Sequence, residues 1–118
     1  MMGLPCVHEF GILHDFDKQK IYRDYEPQKY HCISIDDDII GKLVEQLSII
    51  KTYFHSFTRP NDGLAYWGIT IIPPESLSLF YEVVTSFNYI MKSNELQELA
   101  LIIMQAMEEK QYLIHFGI

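Results

Sequence analysis

The sequence is short of positive charge, cysteine and clustered glycine, and it contains no long apolar run. Nine Lys and Arg stand against sixteen Asp and Glu among 118 residues, a formal charge of −7. Nucleic-acid affinity is built on cationic contacts to phosphate, so this balance excludes generic DNA or RNA binding. Acids outnumber bases eight to four through Asp38 and eight to five beyond it, which spreads the negative charge over the whole fold. The richest apolar stretch, residues 99–104, stops at Gln105. A membrane-spanning helix requires roughly 20 such residues, so no membrane partner is expected. Residues 1–6 carry no basic leader and no apolar run of signal-peptide length, and the reading is a cytoplasmic protein.

The two cysteines, Cys6 and Cys32, both stand beside apolar residues in predicted strands. In a reducing compartment such residues act as small buried hydrophobes rather than as a disulfide. Gly11, Gly63, Gly68 and Gly117 are isolated, and neither a Gly-x-Gly-x-x-Gly loop nor a Gly-Lys-Ser/Thr cradle for phosphate is present. The serines lack a Gly-x-Ser-x-Gly elbow. Accordingly no catalytic residue, cofactor or metal is assigned.

What the chain does have is apolar content, at 48% of residues, enough for one core without disulfides or metal. A single domain over residues 1–118 is expected. Residues 6–12 alternate with period two, placing Cys6, His8, Phe10 and Ile12 on one face of a first strand. Residues 14–30 break into balanced charges and scattered aromatics, with Pro27 opposing a helix interior, and read as a long loop with room for one helical turn. A second strand over 31–35 runs into Asp36, Asp37 and Asp38. The apolar spacing Ile39, Ile40, Leu43, Val44, Leu47, Ile50 and Phe54 predicts a helix over 37–55, with Asp36 or Asp37 at its cap. Residues 64–72 predict a central strand buried on both faces. After Pro73-Pro74, two helices follow, the second opened by Asn94 with Gln97, and residues 112–118 alternate as a final strand. The fold class is α+β, in the order β-β-α-β-α-α-β: a four-stranded, mainly antiparallel or mixed sheet with three principal helices. The likeness of residues 8–12 to 115–118 suggests that first and last strands are neighbours, with Gly11 and Gly117 at close backbone approaches.

Three features compete for function. The run Asp36-Asp37-Asp38 offers carboxylate oxygens to a divalent cation, but consecutive residues at a helix start point apart and capping accounts for them without a ligand. His8, His31 and His115 fall on predicted strands where they could converge in a pocket, though none stands at a ligand spacing. The loop 14–30 is long for a compact domain, and its Tyr22, Arg23, Tyr25 and Tyr30 are residue types that dominate recognition surfaces. Tyr66 and Trp67, beside the turn 59–63, form a second aromatic candidate, although a lone Trp flanked by apolar residues reads more simply as core.

The leading expectation is therefore a non-enzymatic protein-binding module, of the inhibitor or immunity-protein type, that meets a partner of basic character through its acidic surface and the loop 14–30. A small enzyme or ligand-binding domain with a histidine pocket is the alternative. A homo-oligomeric subunit, joined through Phe57, Tyr66 and the terminal strand, is a third reading.

Overall fold

The computed structural model describes residues 6–118; the expectation about a leader falls on residues 1–5, outside the described residues. The strands are β1 (Val7–Leu13), β2 (Ile33–Asp36), β3 (Lys51–Phe54), β4 (Pro60–Asp62), β5 (Ile69–Ile72) and β6 (Tyr112–Phe116), and the helices are α1 (Asp37–Leu47), α2 (Leu77–Met91) and α3 (Asn94–Glu109). The fold is α+β. Its sheet has six strands in the order β2-β1-β6-β5-β3-β4, every pairing antiparallel, so the expected four-stranded sheet is corrected to six.

Both extra strands lie where the residue pattern predicts helix and turn. The helix expected over 37–55 stops at Leu47, and Ser48 closes it by donating its hydroxyl to the Glu45 carbonyl at 2.6 Å. Beyond it, Ile49, Ile50, Thr52, Tyr53 and Phe54 are β-branched or aromatic, side chains that suit a pleated surface better than a helical turn. β3 pairs with β5 on one side and with β4 on the other, and β4 is an edge strand of three exposed residues that opens with Pro60. A proline and short length both discourage further pairing at an edge.

The sheet separates two apolar layers. On one face Phe10, Ile35, Ile72 and Leu113 pack against Ile40, Leu43 and Leu47 of α1, Phe80 and Val84 of α2, and Leu96, Leu99 and Ile103 of α3. Phe80 meets Phe10 at 5.9 Å between ring centroids, and burying one such side chain contributes roughly 1.5–3 kcal/mol. On the other face Leu13, Ile69, Ile71, Ile114 and Phe116 are covered by Tyr22, with Phe16 and Tyr30 beside it. The loop 14–30 is thus the second cover of the sheet. It contains one 3-10 turn, Pro27–Tyr30, and Tyr22 is tied in by its backbone N–H to the His55 carbonyl at 2.7 Å.

The helix starts follow local chemistry. Asp36 caps α1 by accepting the Asp38 N–H at 2.8 Å, while Asp37 and Asp38 stand in the first turn, where carboxylates oppose the helix dipole. α3 is capped by Ser93, which accepts the Leu96 N–H at 3.3 Å, one residue before the expected Asn94. β1 and β6 are neighbours, and a side chain at Gly11 would meet the Tyr30 carbonyl oxygen at 2.6 Å. One at Gly117 would collide with the carbonyl oxygen of Tyr66. β6 pairs on both sides, so it offers no free strand edge to a second copy.

Candidate functional site

Strand register brings three polar side chains together inside the helix-facing layer. His115 stands opposite Phe10 across β1 and β6, and opposite Thr70 across β5 and β6. His8 lies two residues before Phe10, on the same face, because side chains alternate along a strand. His8, His115 and Thr70 are all fully or almost fully buried. The two imidazoles stack at 5.1 Å between centroids, and Phe10 leans on His115 at 4.8 Å.

The polar atoms form a continuous chain. His8 Nε2 lies 2.8 Å from Asp37 Oδ1, and Tyr66 donates its hydroxyl to the same oxygen at 2.5 Å. His8 Nδ1 lies 2.8 Å from His115 Nε2. His115 Nδ1 lies 3.1 Å from Thr70 Oγ1, which also accepts the Ala65 N–H at 2.7 Å. Hydrogen-bond chemistry fixes the direction of each contact. An ionised carboxylate only accepts, so His8 donates from Nε2 and its Nδ1 is bare; His115 must then donate from Nε2, and its own bare Nδ1 receives the Thr70 hydroxyl proton. With both imidazoles neutral, every donor and acceptor in the chain is used. Among the described residues no buried side-chain nitrogen or oxygen lacks a partner.

The charges agree with that assignment. The hydrogen bond from Tyr66, then that from His8, holds the Asp37 carboxyl below its usual range. The same bond to Asp37 pushes the Tyr66 hydroxyl up to about 12. Burial, followed by the neighbouring His8, holds His115 well below the usual imidazole value. A buried base of this kind is neutral at ordinary pH.

Of the three histidines expected to converge, His8 and His115 do and His31 does not. His31 is exposed, ends the 3-10 turn with φ 51°, and lines an open groove with His14, Lys29 and Tyr30 on another part of the surface. The acid run is divided in use. Asp36 caps α1, Asp37 joins the buried chain and Asp38 is exposed, and no group of three or more His, Cys, Asp or Glu among the described residues is placed to hold a metal ion. Glu9, next to His8 in β1, points to the opposite sheet face and accepts a hydrogen bond from Tyr25.

The aromatic candidates divide in the same way. Tyr22 is 5% exposed and belongs to the second core, and Tyr30 is half-buried against Phe116. Tyr25 is 64% exposed. Trp67, expected in the core, is instead 79% exposed, because residues 64–68 do not extend β5 but form a turn in which the Gly68 N–H reaches the Ala65 carbonyl. Its indole packs edge-on to Tyr66 at 4.9 Å. Trp67, Tyr25 and Arg23 border a groove floored by Gly68, Ile69, Phe116 and Gly117, with His55 at its side. His55 stands at the junction of two segments. Its Nδ1 donates to the Tyr22 carbonyl at 2.8 Å, joining the loop 14–30 to the end of β3, a role for which the sequence holds no local signal.

Cys6 is exposed and Cys32 half-buried, and both are free thiols; the burial expected for Cys6 is not found. No helix among the described residues is long and apolar enough to cross a membrane. Comparison with protein-family models, with curated proteins and with solved structures finds no match to this chain.

Proposed function

We propose that the chain is a non-enzymatic protein-binding module, acting in the cytoplasm, whose docking face is the groove bordered by Arg23, Tyr25 and Trp67. One observation carries the reading: the single Trp is 79% exposed on a turn held at several points, beside a Tyr that is 64% exposed. An indole left in water while the core closes without it is a ready contact surface, and Trp, Tyr and Arg are the types that dominate binding energy at interfaces.

The partner's character follows from charge. Asp37 and Asp38 stand next to Tyr66, Glu9 accepts from Tyr25, and the chain as a whole carries −7. A chain of this net charge attracts a partner of basic character, and an exposed indole adds cation–π attraction to Lys or Arg side chains. This reading narrows the loop 14–30 to its exposed members, since Tyr22 and Tyr30 serve packing. Two unpaired cysteines are in keeping with a reducing compartment.

The alternative, a small enzyme or ligand-binding domain built on His8 and His115, draws support from their buried chain with Asp37. Against it, both imidazoles have no exposed surface, and the grooves described above are lined by other side chains.

The test is capture from cell extract on the immobilised chain, wild type against Trp67→Ala combined with Tyr25→Ala. A protein retained by wild type, released as salt rises, and lost from the double variant supports this face. A protein retained equally by both chains, or held with no salt dependence, overturns the proposal.

A further inference from the structure

The three helices differ sharply in charge. α1 carries Asp37, Asp38, Lys42 and Glu45, and α3 carries Glu95, Glu98, Glu108 and Glu109 with no basic residue. α2 has one charged side chain, Glu82, in fifteen residues. In a chain of net charge −7, the flank of α2 is therefore where a second copy meets the least repulsion.

Along that flank Leu79, Val83, Ser86 and Ile90 recur at intervals of four, three and four, the spacing of one helical stripe. The adjoining face, with Leu77, Phe80 and Val84, is buried in the core, whereas Leu79 and Val83 are only partly buried and Ile90 is 82% exposed. Ile90 and its neighbour Tyr89, at 84%, are the most exposed large apolar side chains among the described residues. Toward the other end of the helix the stripe borders a groove of about 390 Å³, walled by Leu79, Val83 and Phe87 of α2, Gln46 of α1 and Ile49 just beyond it. Ile49 is itself 62% exposed. Ser76, at the start of α2, donates its hydroxyl to the Lys51 carbonyl at 2.6 Å and holds this segment beside the helix. One end of the stripe is thus a protruding apolar knob and the other an apolar hollow, about 16 Å apart at 1.5 Å per helical residue.

We propose that a second copy of this chain docks here, forming a two-fold dimer in which the two α2 helices pack antiparallel. Turned end for end about its midpoint, the stripe keeps its spacing: Ile90 falls on Leu79 of the second copy, and Val83 on its Ser86. Each Ile90 then enters the other copy's hollow, between Leu79 and Ile49. The same contact is made twice by one self-complementary surface, as an isologous interface requires.

Other faces serve a second copy less well. Leu101 and Met104 are exposed on α3, but that helix holds four carboxylates and no base, and two copies meeting there would bring like charges together. The sheet edges are β4, three residues opening with Pro60, and β2, where the Asp36 N–H is already taken by Glu95 at 2.7 Å. The dimer does not rest on the binding reading above. It also leaves the groove at Trp67 uncovered in both copies, because Ile69 and Phe116 on the floor of that groove belong to the layer of the sheet opposite α2.

Sedimentation equilibrium of the full chain tests the dimer. The average mass should rise from that of one chain at about 1 μM to that of two at about 1 mM. Ile90→Glu and Ile49→Lys, both at exposed positions, should each keep the far-UV circular dichroism of wild type and the mass of one chain throughout. Mixed in equal amounts, the two variants should form dimers again, because the mixed dimer keeps one contact of Ile90 with Ile49 and gains one Glu–Lys pair at the other. A wild-type mass of one chain at the highest concentration overturns the proposal, as does a dimer that survives Ile90→Glu and so uses another face. A mixture that stays monomeric overturns it as well, since the antiparallel pairing demands the rescue. Should Ile90→Glu not fold, Ile90→Gln takes its place: association should weaken by about tenfold or more, and association equal to wild type overturns the dimer.

Discussion

His8 Nδ1 and His115 Nε2 lie 2.8 Å apart although 107 positions separate them in the chain. Strand β6 inserts between β1 and β5, so it supplies the middle member, His115, of a polar row whose other strand members are His8 of β1 and Thr70 of β5. Two neutral imidazoles in contact, both shielded from water, are stable here because Asp37 at one end only accepts and Thr70 at the other both donates and accepts.

Thr70 is the terminus of that row, and its hydroxyl has two partners. Replacing it by Val keeps the shape but orphans His115 Nδ1 and the Ala65 N–H, at a cost of about 1–3 kcal/mol for each buried group left unpaired. Thr70→Ser keeps the hydroxyl and loses one methyl, and should be the milder change. Urea unfolding of the two variants decides the matter: equal midpoints would show that the hydroxyl contributes nothing.

Stability should fall as pH drops below about 6.5, the value of an unperturbed imidazole. His115 is held well below that value in the fold by burial, so in this window the unfolded chain binds a proton that the folded chain does not. Stability is present above the unfolded value and lost below it, with a slope of at most about 1.4 kcal/mol per pH unit for one such group. Asp37, held low by Tyr66 and His8, adds a second loss only at more acid pH, where its carboxyl is protonated. Urea midpoints should therefore be lower at mildly acid than at neutral pH, and the difference should shrink in His115→Gln.

The two thiols should differ sharply in reactivity. Cys6 is exposed, whereas burial pushes the Cys32 thiol up to about 12, where almost no thiolate exists near neutral pH. A thiol-specific reagent at mildly alkaline pH should modify Cys6 alone in the native chain, with both sites modified after unfolding. Mass analysis showing equal native labelling at Cys32 would contradict the burial described for it.

Much of the fold was legible because its signals are local. The alternation of residues 6–12 and of 112–118 marks β1 and β6, the apolar run 64–72 contains β5 in its second half, and the helical spacing after Pro74 marks α2 and α3. Residues 49–54 misled for a physical reason: Leu47, Ile50 and Phe54 extend a helical stripe, yet the same segment is β-branched and alternates, and pairing with β5 decides between the two. The site was half legible. Faces of strands place His8 and His115 in the same layer, but only strand order brings them into contact, and order is not written in any one segment. Asp37 looked like a second cap candidate because helix starts favour carboxylates, and nothing nearby in sequence announces Tyr66 as its partner. Trp67 looked buried because its neighbours are apolar, while Gly68 and the Ala65 N–H bound to Thr70 turn the chain outward just before β5.

The adjacency of β1 and β6 also governs how the chain reaches this fold. One inner pairing of the sheet joins the first and last described strands, so roughly a hundred residues must be gathered into a closed loop before that pairing forms. Non-local pairing of this kind slows folding, because the entropy of loop closure is lost before the contacts reward it. A nascent chain cannot lay down the middle of this sheet until residues 112–116 have left the ribosome, and a fragment ending at α3 would leave β1 and β5 unjoined with a gap between them.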